Sequence, residues 1–271
     1  MILLYTILVK EPDHYIPMFR LMWESLDLFG DVKCDFLIIG NNECLGLIHH
    51  VIKKPKCVRK LHALEVPTEG DLHDALLRKL DVAEFSLVKK FAQIMYIDCD
   101  IIVRSSLKPI FDSMSQLPNN ILHAVKEDED FNHPFFGFER YTLTEKKAMR
   151  RRGLTTFNDG TLIFVPTDAI LDDFRAIKTF AADNPDLRKR YYDQSFVNNY
   201  FNSQTSNTKV STKLLSPYIV IFPKDGKMYT NKALVHFTGL GNYANKAGRM
   251  ATYLTKLRRS SPTRPSWWKR W

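Results

Sequence analysis

Two aspartates, Asp98 and Asp100, flank Cys99 directly after the apolar run at residues 94–97. This run is typical of a buried strand, and open α/β sheets form their ligand crevice at the carboxyl ends of such strands. Residues two positions apart on extended backbone point to the same side, so both carboxylates can bind one hard divalent cation. The pattern favours a Mg²⁺ or Mn²⁺ site that acts on a phosphorylated substrate. Asp-x-Asp also occurs by chance, and acids often cap the element after a strand.

The N-terminal residues predict the strand–helix–strand unit that begins a doubly wound sheet. Apolar strands are predicted at residues 2–9 and 35–40. Between them, five apolar side chains share one stripe of a helix: Tyr15, Phe19, Met22, Leu26 and Phe29. Gly30 is a suitable stop for this helix, and Pro17 fits only its first turn.

Strands and helices are also predicted along the rest of the chain. The predicted strands are 58–66, 161–165, 218–222 and 233–237, and the predicted helices are 72–85, 107–111, 168–181 and 193–200, with a helix or loop at 45–52. Residues 158–160 predict a turn. The charged stretch 126–156 is interpreted as a mobile excursion over the site or as an oligomer contact. Beyond Gly241 the pattern is basic and irregular.

Composition limits the class of protein. The chain has 271 residues, 45% of them hydrophobic, which is enough for one large α/β domain or two small ones. It contains no long apolar run that predicts a spanning helix, and its apolar start lacks the features of a signal peptide. The four cysteines form no C-x-x-C pair, and the apolar neighbours of Cys34 and Cys99 suggest reduced, buried thiols in a cytosolic setting. A bridge between Cys44 and Cys57 remains an open alternative.

The formal net charge is +9, an excess that can attract nucleic acid, an anionic membrane or a phosphorylated substrate. Basic residues cluster at 146–152 and in the C-terminal tail, which also holds Trp267, Trp268 and Trp271. Aromatic and basic residues together favour a membrane interface or a polyanion. A tail that docks on its own domain and a disordered tail are the alternatives.

Four local patterns follow one another along the chain: Met95-Tyr96-Ile97-Asp98-Cys99-Asp100, Phe157-Asn158-Asp159-Gly160, Tyr192-Asp193-Gln194-Ser195 and Val235-His236-Phe237-Thr238-Gly239. In this order they resemble the glycogenin-like family-8 glycosyltransferases. The resemblance implies a single Rossmann-like nucleotide-binding domain of the glycosyltransferase A type, with a mixed, mostly parallel sheet flanked by helices. The implied domain covers 1–245, with a nucleotide-sugar half at 1–105 and an acceptor half at 106–245, and leaves a basic, Trp-rich tail at 246–271.

The resemblance implies that Asp98, Asp100 and His236 are metal ligands, with the histidine contributed by a late strand. A neutral imidazole suits Mn²⁺ better than Mg²⁺, so Mn²⁺ is the favoured cofactor and Mg²⁺ the alternative. A cation that bridges two phosphates neutralises the charge that develops as a nucleoside diphosphate leaves.

The resemblance also implies basic contacts to the diphosphate. Lys79, or Arg78 beside it, precedes the metal strand as a lysine of the family does, and Lys246 or Arg249 follows the late histidine motif. The family often has Lys-Pro-Trp soon after that motif, whereas this chain has Leu240-Gly241-Asn242-Tyr243. The alternative for Lys79 is a solvated helix cation.

Two motifs imply the sugar-binding and catalytic residues. Asn158 and Asp159 are expected near the donor sugar or the acceptor, and the family usually has a small residue where Asp159 stands. Asp159 is either an extra acceptor for a sugar hydroxyl or a turn residue before Gly160. Asp193 and Gln194 match the pair that lies close to the anomeric carbon in the family. These two residues, together with Asp159, are the predicted catalytic residues. Family-8 enzymes retain the configuration of the anomeric carbon. Retention can proceed through a covalent intermediate on a carboxylate or through a front-side path in which the leaving phosphate takes the acceptor's proton. We favour the front-side path.

The donor nucleotide is expected against the first strand and the acidic motif. Thr6 and Leu8 stand where the family contacts uridine, and Cys99 lies between the metal acids in the predicted cofactor-binding set. Tyr15 either stacks on uracil or belongs to the core stripe. The chain has no glycine-rich phosphate loop, which argues against Rossmann dehydrogenases and P-loop enzymes.

The sequence therefore predicts a metal-dependent, retaining glycosyltransferase that uses a nucleotide-sugar, with a UDP-sugar as first choice. The expected acceptor is a glycan, a protein or a lipid-linked sugar. The predicted location is cytoplasmic, with peripheral membrane contact through the tail, and no nucleic-acid partner is expected. The alternatives are a nucleotidyl- or phosphoryl-transfer enzyme and a basic, non-catalytic protein that binds nucleic acid or an anionic surface.

Overall fold

The computed structural model describes residues 1–9, 12–51, 53–67, 72–127, 141–185, 193–202, 208–238 and 243–260. These ranges contain ten strands: β1 (Ile2–Leu8), β2 (Cys34–Gly40), β3 (Val58–Glu65), β4 (Gln93–Ile97), β5 (Ile101–Val103), β6 (Ile121–Lys126), β7 (Phe157–Phe164), β8 (Lys209–Ser211), β9 (Ile219–Ile221) and β10 (Leu234–His236). They also contain eight α-helices: α1 (Pro12–Phe29), α2 (Asn42–Val51), α3 (Leu72–Leu77), α4 (Lys108–Met114), α5 (Leu143–Arg151), α6 (Asp168–Asp183), α7 (Asp193–Asn202) and α8 (Tyr243–Ser260). Two 3₁₀ helices cover Arg78–Glu84 and Val88–Lys90.

Seven strands form a mixed, mostly parallel sheet in the order β3-β2-β1-β4-β7-β6-β8. β1 pairs in parallel with β2 and β4, whereas β7 runs antiparallel to its neighbours β4 and β6. Because β1 and β4 are parallel neighbours, their carboxyl ends at Leu8 and Ile97 meet at one edge of the sheet. The predicted fold class is confirmed.

Helices cover both faces of this sheet. Leu4 and Leu8 of β1 pack in one apolar cluster with α1, α2 and α8, and Leu3 and Tyr5 pack in another with α6, α7 and the first 3₁₀ helix. Successive strand residues point to opposite faces, and both faces are buried, as in other parallel sheets. The carboxyl edge of the sheet is therefore where polar side chains can meet a ligand.

The predicted strand–helix–strand opening is confirmed. On the predicted helical stripe, Phe19, Met22 and Leu26 are buried. The helix ends at Phe29, and the Gly30 N–H donates to the Leu26 carbonyl at 2.9 Å. Gly30 therefore stops α1 as its sequence position predicts.

Three local predictions were wrong. α1 begins at Pro12, so Pro17 lies inside the helix beyond its first turn, where it is exposed. Residues 158–160 belong to β7 rather than to a turn, because their backbone pairs within the sheet. The predicted helix at 72–85 is α-helical only to Leu77 and then becomes 3₁₀, because the buried contacts of this segment outweigh its helix propensity.

The stretch 126–156, interpreted as a mobile excursion or an oligomer contact, contains a regular helix, α5, in its described C-terminal part. The helix begins with a capping box: the Glu145 N–H donates to the Thr142 hydroxyl, and the Thr142 N–H donates to the Glu145 carboxylate. This pairing satisfies backbone donors at the helix start, and the Thr-x-x-Glu spacing was visible in the sequence. Residues 128–140 lie outside the described part of the chain.

A second sheet has the order β5-β10-β9, and α8 packs beside it. The expectation of an irregular chain beyond Gly241 was wrong, because four residues of α8 recur at helical spacing and are buried in the main core: Met250, Tyr253, Leu254 and Leu257. α8 thus crosses the predicted boundary at residue 245. The Trp-rich segment 261–271 lies outside the described residues.

The structure also tests the predictions about membrane-spanning helices and about the cysteines. None of the helices in the described ranges is long and apolar enough to cross a membrane. All four cysteines are buried and free, so the alternative of a bridge between Cys44 and Cys57 was wrong. Both thiols lie in the apolar cluster around α1.

Candidate active site

Three potential metal ligands converge beyond the end of β4: Asp98, Asp100 and His236. One ligand atom from each residue lies within 4.8 Å of the others. The aspartates follow β4, whereas His236 is the last residue of β10. β10 pairs antiparallel with β5, and this register places His236 opposite Ile101. The second sheet therefore brings the imidazole to the acids.

Gly160 gives this cluster its space. The Asp98 N–H donates to the Gly160 carbonyl at 2.9 Å, so the β7 backbone lies directly against the acidic motif. A Cβ at Gly160 would lie 2.2 Å from Cε1 of His236 and 2.5 Å from Oδ2 of Asp98. These distances are too short for any side chain, so only glycine fits here.

The cluster fits a divalent cation. Two carboxylates and an imidazole form a donor set that suits a divalent metal cation, and Gly160 leaves open the space that a side chain would fill. Nε2 of His236 lies 3.0 Å from Oδ1 of Asp100 and 3.5 Å from Oδ2 of Asp98. Burial lowers the pKa of His236, but the two carboxylates outweigh burial and raise it above its usual value. Carboxylates that attract a proton in this way also attract a metal cation.

The two aspartates differ in pKa. Burial raises the pKa of Asp98, and Lys79 offsets this only in part. Burial also acts to raise the pKa of Asp100, but His236 and Lys246 outweigh it and hold the pKa below its usual range. Nζ of Lys246 lies 2.7 Å from Oδ2 of Asp100. Asp100 is thus the more strongly anionic of the two acids.

Lys79 lies between two further acids and is only 2% exposed. Its Nζ lies 3.1 Å from Oδ2 of Asp159 and 2.5 Å from Oδ2 of Asp193, and 5.1 Å from the centre of the Tyr96 ring. Burial lowers the pKa of Lys79, but the carboxylates raise it above its usual value. Burial and Asp193 raise the pKa of Asp159 well above its usual range. Lys79 is therefore a buried cation shared by two carboxyl groups, and not a solvated one.

Asn158 and Gln194 meet a residue that the sequence did not single out, Glu127. The Gln194 amide donates to Glu127 at 2.8 Å, the Asn158 amide donates to Gln194 at 3.2 Å, and Asn158 also lies 3.4 Å from Glu127. Glu127 follows β6 directly. The strand β6 was not among those predicted from the sequence, and Glu127 begins an acidic run that was interpreted as part of an excursion.

Asn198 is a second residue that the sequence analysis missed. It lies one turn after Gln194 on α7, accepts from the Phe157 N–H at 2.9 Å and donates to the Phe157 carbonyl at 2.8 Å. Both bonds are buried, so they fix α7 against β7. Asn198 thereby positions the helix that carries Asp193 and Gln194.

The other predicted contacts lie along the first strand, the first helix and the acidic motif. Thr6 and Leu8 are fully buried in β1, and Leu8 ends the strand at the carboxyl edge. The Cys99 side chain is buried in the core, and Tyr15 is half-buried against the same cluster. Among the predicted basic residues, Lys246 reaches Asp100, whereas Arg249 donates to the Pro223 carbonyl at 2.8 Å. The donor contacts of these residues stay predictions.

The chain belongs to glycosyltransferase family 8, because residues 49–241 match the model described as "Glycosyl transferase family 8". It is therefore a glycosyltransferase, which argues against both the nucleotidyltransferase and the non-catalytic alternatives. A comparison with curated protein sequences gives no match.

Solved structures are similar in fold. The galactosyltransferase LgtC in complex with donor and acceptor sugar analogues matches over 99% of this chain and 99% of that chain, at a TM-score of 0.60 and 16% identity. A glycosyltransferase involved in the glycosylation of the major capsid of PBCV-1 matches over 93% of this chain and 98% of that chain, at a TM-score of 0.55 and 15% identity. The fold is the glycosyltransferase A fold.

Proposed function

We propose that this glycosyltransferase uses a divalent cation to transfer a sugar from a nucleotide-sugar, with a UDP-sugar as first choice, to a glycan, protein or lipid-linked acceptor. The observation that carries the proposal is the convergence of Asp98, Asp100 and His236 within 4.8 Å. The Lys79 network adjoins this cluster, because Lys79 lies over the ring of Tyr96 and the Tyr96 hydroxyl donates to Asp98. The site thus combines a place for a phosphate-bound metal with groups for a sugar.

The leaving group is the part of the donor that needs positive charge. Mn²⁺, or Mg²⁺, held by Asp98, Asp100 and His236 would neutralise the charge that develops on a nucleoside diphosphate. Lys246 adds a cation beside Asp100, at 2.7 Å, and in this proposal its ammonium group also contacts the diphosphate. Because α8 carries Lys246, the helix contributes directly to the donor site.

The nucleoside is proposed to lie against the first strand. β1 is the parallel neighbour of β4, so Leu8 and the acidic motif share one edge of the sheet. This arrangement supports the predicted contacts of Thr6, Leu8 and Tyr15 with a nucleoside whose diphosphate lies at Asp98 and Asp100.

The sugar is proposed to lie between the metal cluster and α7. Carboxylates and amides are suited to bind sugar hydroxyls, and Asn158, Asp159, Asp193 and Gln194 provide them. Lys79 holds Asp159 and Asp193 together, so a substrate meets both carboxyl groups in one fixed arrangement. Asp159 is then a sugar-binding residue rather than a turn residue.

We propose that the enzyme retains the anomeric configuration through the front-side path. The Asp193 carboxylate is already engaged by Lys79 at 2.5 Å, which reduces its nucleophilicity, and Gln194 offers an amide instead of a carboxylate. The Gln194 amide N–H donates to Glu127, so its orientation is fixed. This chemistry favours positioning by Asp193 and Gln194 over a covalent intermediate on either residue.

The proposal is tested by incubating the full chain with UDP- and GDP-sugars and measuring the release of nucleoside diphosphate. We expect release from one donor with Mn²⁺, its loss with EDTA, and a fall of about 100-fold or more in Asp193→Asn. Asp183→Asn, an exposed acid at the end of α6, is the matched control and should keep wild-type rates. Release by the wild type in EDTA, and by Asp193→Asn with Mn²⁺, at the rate of the wild type with Mn²⁺ would contradict the proposal.

A further inference from the structure

A basic cleft lies between the loop 223–228 and α8. Its volume is about 730 Å³, within the range of small-molecule sites. Four cations line it, Lys224, Lys227, Arg249 and Lys256, with one carboxylate, Asp225. We propose that this cleft is a second binding site, separate from the donor site, which takes a phosphate ester.

The cleft has a different set of residues from the donor site. None of the metal-cluster residues lines it. Lys246 points to Asp100, whereas Arg249, three residues later on α8, donates to the Pro223 carbonyl in the cleft wall. The two sites thus share α8 but use different side chains of it.

The charges of the cleft favour a multiply charged anion. Charges of one sign that converge in a concave surface reinforce each other's potential, and Arg and Lys are the usual partners of phosphate groups. Lys227 Nζ lies 5.1 Å from the centre of the Tyr229 ring, a cation–π contact that helps to orient its ammonium group.

Asp225 acts as an internal competitor for the ligand. Its Oδ1 lies 2.7 Å from Nε of Arg249, so it occupies the guanidinium edge that an anion would use. The Asp225 side chain is 83% exposed, and such ion pairs are weak. An anion that carries more charge than one carboxylate can therefore displace it.

The size of the cleft suits the organic part of a phosphate ester. Phe237 and Tyr253 line it, and their rings meet edge to face at 5.7 Å between centroids. A Cβ at Gly248 would meet nothing within 4 Å, so there is open space beside α8 at this position. Both rings are buried, at 2% and 7% exposure, so the size of the cleft rather than aromatic stacking favours an organic ester over a bare ion.

The loop that forms the other wall is strained at its start. Phe222 has φ of 52°, the one positive φ of a non-glycine residue in the described ranges, and it is 48% exposed. A bulky side chain in the left-handed region is unfavourable, and such conformations cluster at ligand-binding loops. This strain is an observation independent of the charges.

The test titrates the metal-free full chain, in EDTA, with glucose 6-phosphate, and separately with phosphatidylcholine vesicles with and without phosphatidic acid. The double variant Lys227→Gln/Lys256→Gln removes two exposed cations, and we expect its fold to stay intact. Lys60→Gln/Lys108→Gln removes two exposed cations elsewhere and is the matched control. We expect about tenfold weaker binding in the first variant, since it loses charge-assisted hydrogen bonds, and wild-type binding in the control.

Asp225→Asn gives an opposite readout, because removing the competitor should tighten binding. Binding of glucose 6-phosphate identifies a soluble ester, and binding of phosphatidic acid vesicles alone identifies a lipid headgroup; either result supports the site if the cleft variants change it as expected. Equal effects of the two double variants, or binding of neither probe, would overturn the proposal. Neither metal nor nucleotide is present, so the outcome is independent of the proposed transferase reaction.

Discussion

Nε2 of His236 lies 3.0 Å from Oδ1 of Asp100, although the two residues are far apart in the chain. The contact exists because β10 pairs antiparallel with β5, which follows Asp100 directly. The Phe237 N–H also donates to the Asp100 carbonyl at 3.0 Å. The second sheet therefore holds the histidine against the acids that follow the central strand of the first sheet.

Loss of one metal ligand should abolish metal-dependent catalysis. Asp100→Asn keeps the shape of the side chain but removes the charge that His236 and Lys246 stabilise. We expect donor hydrolysis to fall by about 100-fold or more, measured as nucleoside diphosphate release. Asp112→Asn on α4, an exposed acid, should keep wild-type rates, and equal losses in the two variants would speak against the metal site.

Gly160→Ala should damage the site by steric conflict. The added methyl group would lie 2.2 Å from the His236 ring and 2.5 Å from the Asp98 carboxylate. We expect a loss of about 1–3 kcal/mol in the free energy of unfolding and weaker Mn²⁺ binding, measured by denaturation and calorimetry. Gly46→Ala on α2 has open space around it and should be neutral or slightly stabilising. Wild-type Mn²⁺ affinity in Gly160→Ala would show that the packing is less tight than described.

Replacing Lys79 should destabilise the folded chain strongly. Lys79→Met leaves Asp159 and Asp193 buried without their shared cation, and breaking a buried pair in this way costs about 3–5 kcal/mol. Lys89→Met removes an exposed partner of Asp168 and should cost less than about 1 kcal/mol. Urea denaturation measures both, and a similar small loss in both variants would disprove the role of Lys79 as a buried charge.

The stability of Lys79→Met should also depend on pH. Burial and Asp193 raise the pKa of Asp159, and in the wild type Lys79 lowers it in part. Without Lys79 the raised pKa favours the protonated acid in the folded chain. Relative to the wild type, the variant should therefore lose stability as pH rises above about 4, the usual carboxyl pKa. A variant whose stability relative to the wild type increases as pH rises would contradict this sign.

His123 on β6 predicts a separate pH effect. Its ring is buried, both nitrogens lack hydrogen-bond partners among the described residues, and burial lowers its pKa to about 4. The unfolded chain therefore binds a proton first as pH falls below about 6.5. Relative to His123→Phe, the wild type should lose about 2 kcal/mol of stability between about pH 7 and pH 5. Parallel stability curves for the two proteins would refute the lowered pKa.

The sequence predicted well those strands and helices that local side-chain patterns determine. The strand before Asp98 is an uninterrupted apolar run, and the helical stripe around Met22 has regular spacing, so both follow from side-chain periodicity. The histidine motif was found by its resemblance to a family. Its position against the acids depends on the pairing of β10 with β5, which sequence spacing alone does not contain.

Residues that depend on long-range contact were missed. Glu127 is one acid in an acidic run, and only the meeting of β6 with α7 brings it to Gln194. α8 was missed because basic residues, Arg249, Lys256, Arg258 and Arg259, lie among and beside its buried ones, so that net charge obscured the helical period. The 3₁₀ geometry after Leu77 places Lys79 between two acids from distant parts of the chain, which no local propensity encodes.

The most direct test of the central claim is calorimetric titration of the full chain with UDP, with Mn²⁺ and with EDTA, in the wild type and in His236→Ala. If Asp98, Asp100 and His236 hold the cation that binds the diphosphate, UDP should bind the wild type with Mn²⁺ and at least about 100-fold more weakly in EDTA and in the variant. Equal UDP affinity under all of these conditions would contradict the metal-dependent donor site.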